Sequence, residues 1–576
     1  VWLQLDQNLY RQGSKGSAMF PSDSRWGVRG FRGGYDITGL EVNGRGVAGK
    51  VDDTMMRVDL DAPLLPHGGT LTLGMQYSFS VPDHGSDRMG RDGALYEIAQ
   101  WYPRMAVYDD VRGWNTDPYL GQGEFYLEYG DIDYAVTVPA GYTVAGSGTL
   151  QNRAEVLNDS EMVRLDRAAK SPAVIQVVTA GEASAKRHAV PGTKTWRFRA
   201  EHVRDVAWAA APDFRWDATN WEETLIQSYY QFPKAGRAWE SAAEQTRWSI
   251  KTYSELWLRY PYPQATSVAG PVAGMEYPMF VMVGYGNNDP ASTFSTIDHE
   301  QGHEWFPMIV GSNERRYAWM DEGINTYQNA FSNERHSPGT NLFPEDVADW
   351  RNSVDNGSQS PLMTPPDRID PNALGAIGYR KPAAVLLALR DNVIGRDVMD
   401  RAMREYVRRW AFKHPTPGDF FRTIENVSGD DLSWFWDAFF YGTGVLDIAV
   451  DGVTMRQADG QNRAEVRLRR VASIPFPVTL RLKLNDGTTQ DVRLPVEIWT
   501  HTDRYTASIP VSRPVVGVRL WPDPNVPDWN AANNIWGSAP PGDGATGSTA
   551  GGIVPPIPGT STVGPAVPPP KLPPTN

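Results

Sequence analysis

Residues 299–303, His-Glu-Gln-Gly-His, place two imidazoles and a carboxylate at a spacing that suits metal-dependent hydrolysis. On a helix, side chains four positions apart lie on the same face, so His299 and His303 can bind one metal ion together. Glu300 projects beside that face, where it can act on a water molecule without being a ligand. Glu322 follows on a second segment and supplies a third ligand. Such a His2Glu set leaves the fourth position of a zinc ion open, as catalytic zinc sites require.

Two helices must carry these side chains. Ser292 and Thr293, just after Pro290, offer an N-cap for the first helix, and Pro307 is predicted to end it. The second helix is predicted over residues 317–333. A short connection between two antiparallel helices can bring all three ligands to one point.

A second group of residues lies upstream of the metal motif. Gly274, Met275 and Glu276 stand between two apolar segments, 266–272 and 279–285, which are predicted to be strands. Glycine in this position permits a ligand to approach the backbone closely. Glu276 could offer its carboxylate to a cation such as the free amino group of a peptide. As a residue at the end of an edge strand, it could equally be a solvated surface charge.

Together these motifs resemble the gluzincin aminopeptidases, the relatives of aminopeptidase N and leukotriene hydrolase. In that family a Gly-(Ala/Gly)-Met-Glu-Asn segment precedes the zinc motif, and this chain has Ala-Gly-Met-Glu-Tyr at residues 273–277, so that Tyr277 replaces the asparagine. Tyr379, in Tyr-Arg-Lys-Pro, resembles the tyrosine of the family's Tyr-x-Lys-Gly segment. The resemblance covers about residues 90–445.

The resemblance implies a zinc metallopeptidase that removes the N-terminal residue of peptides. One Zn²⁺ per chain would be bound by His299, His303 and Glu322. Glu300 would activate the zinc-bound water, Tyr379 would stabilise the oxyanion with zinc, and Glu276 would hold the free amine beside Gly274 and Met275. A zinc endopeptidase, which would not need Glu276, and a non-catalytic peptide-binding or scaffold protein stay open as alternatives.

A further amine-binding residue is implied but not fixed by the resemblance. Gln-Trp-Tyr-Pro at residues 100–103 resembles a stretch found in the relatives. In the relatives, a Gln or Glu shortly before that stretch helps to bind the substrate amine. Glu97 or Gln100 could therefore fill this role.

Patterns along the chain predict a multidomain fold with four parts. Short alternating segments between turn residues predict an N-terminal all-β domain over residues 1–195. Helix-period apolar positions over 196–445, with the strands around Glu276, predict a thermolysin-like α+β zinc catalytic domain. Alternation returns over 446–530 and predicts a β-sandwich. Residues 537–576 are rich in Pro and Gly and are predicted to be a disordered tail.

Composition narrows the class of protein. The chain has 576 residues and a net charge of −13 without a basic stripe, which argues against nucleic acid as a partner. Peptides are the substrates that the resemblance implies. Its apolar segments are too short for a membrane span. Cysteine is absent, which excludes disulfides and thiolate ligands and favours a periplasmic or secreted bacterial protein. The first residues resemble no signal peptide and lack an initiator Met, so a mature or trimmed form is expected. Oligomeric state and the preferred N-terminal residue stay open.

Overall fold

Strands form most of the first part of the molecule, a mixed sheet with helices follows, and strands return at the end. The computed structural model describes residues 1–542 except 20–30, 87, 187–189, 287–288, 459, 539 and 541. The predicted tail therefore lies outside the described residues from residue 543 onward. Within the described part of the chain, no helix is both long and apolar enough to cross a membrane. This order of elements confirms the predicted multidomain fold class.

The N-terminal part consists of small antiparallel sheets. Its strands are Trp2–Gln4, Asp36–Val42, Arg45–Gly46, Gly49–Asp52, Met55–Val58, Leu73–Ser78, His84–Ser86, Met89–Asp92, Leu95–Ile98, Arg104–Met105, Tyr108–Asp109, Gly113–Trp114, Gly130–Pro139, Thr143–Gly146, Thr149–Leu150, Thr193–Val203 and Trp208–Ala211. The last of these pairs with Leu95–Ile98, so the N-terminal sheets extend past residue 195.

Helices in this first part were not indicated by the alternating pattern. The longest is Asp159–Ala168, which begins with a capping box between Asn158 and Glu161. Shorter helical segments are Asp6–Tyr10, Lys15–Met19, Arg153–Val156 and Ala180–Lys186. The prediction of an all-β domain is thus right about the dominant element and omits these helices.

A six-stranded mixed sheet forms the floor of the central part. Its strands are β1 (Ile175–Val178), β2 (Arg215–Trp221), β3 (Thr224–Tyr230), β4 (Gln264–Gly270), β5 (Gly274–Tyr277) and β6 (Phe280–Gly284). They lie in the order β1-β2-β3-β4-β6-β5, with β4 parallel to both β3 and β6. Every residue of β4 is buried, as is usual for a strand covered on both faces. The strand that carries Glu276, β5, is at the edge of the sheet.

Helices of the central part pack on and beside this sheet. They are α1 (Ala242–Leu256), α2 (Pro290–Gly302), α3 (Ile324–His336), α4 (Phe343–Asp355), α5 (Lys381–Ala388), α6 (Arg396–Trp410), α7 (Pro417–Ser428) and α8 (Ser433–Trp436). A single α-helical turn, Phe232–Ala235, precedes α1. The 3₁₀ turns are Arg237–Ser241 and Pro366–Arg368, and the π-helical turns are Glu304–Ile309, Trp319–Gly323, Gly375–Arg380, Leu389–Val393 and Asp437–Tyr441.

The start of α2 differs from the sequence prediction. Its N-cap is Asp289, whose side chain accepts hydrogen bonds from the backbone N–H groups of Ala291 and Ser292. Pro290 occupies the first helical turn, where its missing N–H costs nothing. The prediction that Ser292 or Thr293 is the cap was wrong because a proline fits inside the first turn as well as before it.

The last part forms two packed sheets, as the predicted β-sandwich requires. One contains Ile448–Ala458, Gln461–Arg470 and Arg504–Pro510, and the other contains Val478–Leu484, Thr489–Leu494, Val515–Leu520 and Ile535–Gly537. Short 3₁₀ turns are Val496–Trp499 and Ala531–Asn534. Gly537 pairs with Gly517, so the first residue of the predicted tail belongs to a strand.

Gly302 permits the close approach of α2 and α3. A Cβ atom at this position would overlap Asn325 Oδ1 and would lie 2.9 Å from Gln328 Nε2 and 3.2 Å from Asn329 Nδ2. These amides cannot simply move aside, since Gln328 already donates to the Gly302 carbonyl oxygen at 2.8 Å and Asn325 to that of His299 at 2.8 Å.

Substituting Gly302→Ala should therefore lower the free energy of unfolding. Alanine gains about 1 kcal/mol over glycine in a helix, but overpacking typically costs about 1–3 kcal/mol. Gly181→Ala is a matched control, because Gly181 lies in a helix with nothing within 4 Å of its added Cβ. Chemical denaturation of both variants measures the difference, and equal stability would contradict the close approach.

Candidate metal and active site

Three side-chain atoms form a nearly equilateral triangle: one from α2, one from its C-cap residue His303, and one from the turn before α3. His299 Nε2 and His303 Nε2 are 3.2 Å apart, and Glu322 Oε2 lies 3.3 Å from the first and 3.2 Å from the second. Ligand atoms of a tetrahedral zinc ion with bonds of about 2.0–2.1 Å are about 3.3 Å apart. The donor set and its spacing therefore fit zinc.

The ring of His303 is oriented so that Nε2 faces this triangle. Its Nδ1 lies 2.8 Å from the carbonyl oxygen of Phe306 and 2.8 Å from Asp321 Oδ1. Because a carbonyl oxygen can only accept, Nδ1 carries the proton and Nε2 keeps the lone pair. A carboxylate behind a metal-binding histidine also raises the basicity of the ligand. Asp321 thus supports the site from outside the triangle.

Glu322 and Tyr379 both lie in π-helical turns, Trp319–Gly323 and Gly375–Arg380. Such turns occur frequently at functional sites. The Tyr379 hydroxyl donates to Glu322 Oε1 at 2.6 Å, while the other oxygen of Glu322 faces the histidines. Burial, followed by the charge of Glu322, raises the pKa of Tyr379 well above its usual value, so the hydroxyl keeps its proton. Burial alone would raise the pKa of Glu322, but the two histidines hold it well below the usual range.

Glu300 lies between the two histidines in sequence and is buried outside the triangle. Its Oε1 has no hydrogen-bond partner within the described part of the protein. Burial raises the pKa of Glu300 to about 7, against the opposing effect of His299 and His303. A carboxylate with this pKa can both accept and release a proton near neutral pH.

Four further carboxylates meet beside the triangle. One oxygen from each of Glu124, Glu276, Glu314 and Asp321 lies within 4.8 Å of the others. Glu276 and Asp321 also lie within this distance of a nitrogen of His303. The cluster therefore adjoins the metal triangle.

Only some of these carboxylates are paired with a cation. Arg88 contacts Glu124 at 2.9 Å, and Arg204 contacts Glu314 at 3.1 Å. Among the described residues, Glu276 has no ion pair, and its Oε1 has no hydrogen-bond partner although only 3% of the residue is exposed. Burial raises the pKa of Glu276 well above its usual value, which is the cost of a carboxylate without a cation.

The neighbours of Glu276 occupy the positions that the sequence suggested. Gly274 and Met275 precede it in β5, where Gly274 pairs with Val283 of β6, and Met275 contacts the Arg88 guanidinium through its sulfur. Tyr277 points elsewhere, with its ring buried against Phe125. The residue that replaces the family's asparagine thus belongs to the core between the N-terminal and central parts.

Neither suggested partner of Glu276 joins the carboxylate cluster. Glu97 is buried and accepts a hydrogen bond from the backbone N–H of Val272 at 2.9 Å. Gln100 is fully buried, and its carbonyl oxygen accepts from Tyr35 and Gln7. The cluster includes Glu124 instead. This residue follows Gly-Gln-Gly in the sequence and is part of no recognisable motif.

Asp321 was also missed by sequence reasoning, although a signal was present. It stands directly before Glu322 in the sequence. A second acidic residue beside a metal ligand is a candidate for hydrogen-bonding a ligand from outside the metal site. For Glu124 no such signal exists, because tertiary packing alone brings it to β5.

Comparison with known proteins finds sequence similarity in the central part. Residues 250–439 match the model of the peptidase family M1 domain. Aminopeptidase 2, mitochondrial, from Saccharomyces cerevisiae is 24% identical over 209 residues, which are 34% of this chain and 22% of that protein. Aminopeptidase N from Plutella xylostella is 24% identical over 201 residues, 34% of this chain and 20% of that protein. The chain thus spans about a fifth of the length of the curated relatives it matches.

Solved structures share the fold over more of the chain. Legionella pneumophila aminopeptidase A, in complex with aspartic acid, has a TM-score of 0.58 at 13% identity. The alignment covers 86% of this chain and 54% of that protein. A variant of the M1 zinc metallopeptidase from Deinococcus radiodurans has a TM-score of 0.50 at 16% identity. The alignment covers 77% of this chain and 86% of that protein. The predicted resemblance to gluzincin aminopeptidases is confirmed.

Removing one corner of the triangle should abolish tight zinc binding. Glu322→Ala leaves two imidazoles as ligands. Loss of a residue that only hydrogen-bonds a ligand raises the dissociation constant by roughly 10–100-fold, and loss of a ligand itself should raise the zinc dissociation constant by more. Glu334→Ala on the exposed face of α3 is the control. Chelator competition on the purified proteins measures the constants. Unchanged affinity in Glu322→Ala would move the metal to another set of ligands.

Proposed function

From the peptidase family M1 domain at residues 250–439, we propose that this chain is a zinc-dependent aminopeptidase that hydrolyses the N-terminal peptide bond of peptides. One zinc ion per chain would be held by His299, His303 and Glu322. The observation that carries the proposal is the buried carboxylate of Glu276, which has no cation of its own among the described residues beside the metal triangle.

An unpaired buried carboxylate is costly unless a cation reaches it. The α-ammonium group of a peptide is a cation that the substrate itself supplies. Because Glu276 lies within 4.8 Å of His303, an ammonium group held there would leave only the first peptide bond beside the metal ligands. Binding of the amine would therefore set the cleavage position to one residue.

Glu124 supports the same assignment from the N-terminal part. One of its oxygens lies within 4.8 Å of an oxygen of Glu276. Arg88 already neutralises part of its charge, at 2.9 Å. We therefore assign Glu276 as the main partner of the ammonium group and Glu124 as the second, weaker one.

The remaining roles follow from the residue types. When bound, zinc supplies Lewis-acid chemistry, which lowers the pKa of water and polarises a carbonyl group. Glu300 accepts a proton from the attacking water at its unpartnered Oε1 and delivers it to the leaving amine. The Tyr379 hydroxyl keeps its proton and would turn from Glu322 to donate to the carbonyl oxygen as negative charge develops there.

Glu276→Gln tests the proposal directly. The amide keeps the shape of the side chain but removes the charge, so cleavage of peptides with a free amino group should fall by about 10-fold or more, since charge-assisted hydrogen bonds are roughly twice as strong as neutral ones. N-acetylated peptides should be poor substrates for the wild type, and the Glu276→Gln substitution should reduce their cleavage little further. Steady-state kinetics on matched free and acetylated peptides gives both ratios.

Glu97→Gln is the matched control, since Glu97 is equally buried and its amide counterpart can still accept from Val272 N–H. It should retain wild-type selectivity for free amines. Efficient cleavage of acetylated peptides by the wild type would instead identify an endopeptidase. Zinc binding without cleavage of any peptide would indicate a peptide-binding or scaffold protein.

Glu300→Gln should separate zinc binding from turnover. Because Glu300 is not a corner of the triangle, zinc affinity should stay close to wild type, while kcat should fall by about 10²–10⁴-fold with the loss of the general base. Glu304→Gln is a suitable control: burial raises the pKa of Glu304 to about 8, so an amide resembles its neutral acid. Near-normal kcat in Glu300→Gln would exclude Glu300 as the base.

A further inference from the structure

The two zinc histidines are supported from behind by different groups. His303 Nδ1 faces the carboxylate of Asp321, whereas His299 Nδ1 lies 2.9 Å from the carboxamide oxygen of Asn329. A carboxylate can only accept, but a carboxamide can turn and present its NH2 group instead. Other residues must therefore hold the Asn329 amide so that its oxygen faces His299 Nδ1.

A buried hydrogen-bond chain supplies that orientation. It begins at Asp298 on α2, whose Oδ1 accepts from Ser249 and Ser332, both at 2.7 Å, and whose Oδ2 accepts from the Tyr253 hydroxyl at 2.8 Å. The Tyr253 oxygen in turn accepts from Asn329 Nδ2 at 2.8 Å. All of these side chains are buried, and they join α1, α2 and α3.

The direction of each hydrogen bond follows from the one before it. Since Tyr253 donates its only proton to Asp298, its oxygen is left to accept, and Asn329 must turn its NH2 group toward it. The carboxamide oxygen then faces His299 and accepts from Nδ1–H, which leaves Nε2 unprotonated toward the triangle. Asn325 Nδ2, 3.3 Å from the same ring nitrogen, is a donor already engaged with the His299 carbonyl oxygen.

We propose that Asp298, Tyr253 and Asn329 act as positioning residues, forming a relay that fixes His299 as an Nε2 zinc ligand. The relay rests on the proposed metal site but not on the identity of the substrate. Its consequence is that zinc affinity depends on a tyrosine hydroxyl that touches neither metal nor substrate.

Tyr253→Phe tests the relay. Without the hydroxyl, the Asn329 amide loses its short acceptor at 2.8 Å and keeps only the Asp298 carbonyl oxygen at 3.5 Å. The zinc dissociation constant should therefore rise by about 10–100-fold, as when other residues that hydrogen-bond metal-binding histidines are removed. Tyr230→Phe is a matched control, because Tyr230 is equally buried and also donates to a buried carboxylate, that of Asp217 at 2.9 Å, away from the site. Chelator competition and the zinc-induced rise in Tm measure the effect, while the Tm of the metal-free proteins reports any general loss of stability.

A second substitution separates positioning from packing. In the double variant Tyr253→Phe/Asn329→Asp, the carboxylate accepts from His299 Nδ1–H however it is turned, so zinc affinity should recover to within about 10-fold of wild type. Equal zinc affinity in Tyr253→Phe and Tyr230→Phe, or no recovery in the double variant, would overturn the relay. A wild type that binds zinc but cleaves no peptide would refute the proposed aminopeptidase and leave this test intact.

Discussion

Buried negative charge without enough positive charge is the constraint on which the rest of this molecule depends. The carboxylates that converge at the centre are Glu124, Glu276, Glu300, Glu314, Asp321 and Glu322. Arg88 and Arg204 pair with two of them, and the two histidines face others. Removing an unpaired ion from water costs several kcal/mol, so these carboxyl groups either hold a proton, as the raised pKa values of Glu276 and Glu300 indicate, or need further cations. Under the proposed function, a metal ion and the ammonium group of the substrate are the cations that would balance this charge.

This constraint explains why the N-terminal part is joined closely to the central sheet. Arg204, which follows strand Thr193–Val203, donates to the carbonyl oxygen of Pro307 at 2.8 Å and pairs with Glu314. Arg88 and Glu124 come from the same part of the chain and reach the edge strand β5. The two arginines and one of the carboxylates of the site thus come from outside the matched residues 250–439, and a fragment limited to those residues would lack them.

Local patterns carried most of what the sequence could predict. The spacing of His299 and His303 fixes one face of a helix, and the alternation of β-strands needs only neighbouring residues. Glu124 could not be found in this way, because its role depends on contacts with β5, far along the chain. Helix α4 (Phe343–Asp355) lies in the segment predicted to be helical, and its buried residues Phe343, Val347 and Trp350 have helical spacing. The domain boundaries and the periplasmic or secreted location stay predictions.

The position of the metal tests this account most directly, because His303 belongs to two possible ligand sets. Anomalous diffraction at the zinc edge, from crystals grown with zinc and a peptide analogue that has a free amine, would locate the ion. The account predicts one strong peak among His299, His303 and Glu322, with the ammonium group of the analogue against Glu276. A peak among Glu276, His303 and Asp321 would contradict it, since the metal would then occupy the place assigned to the amine.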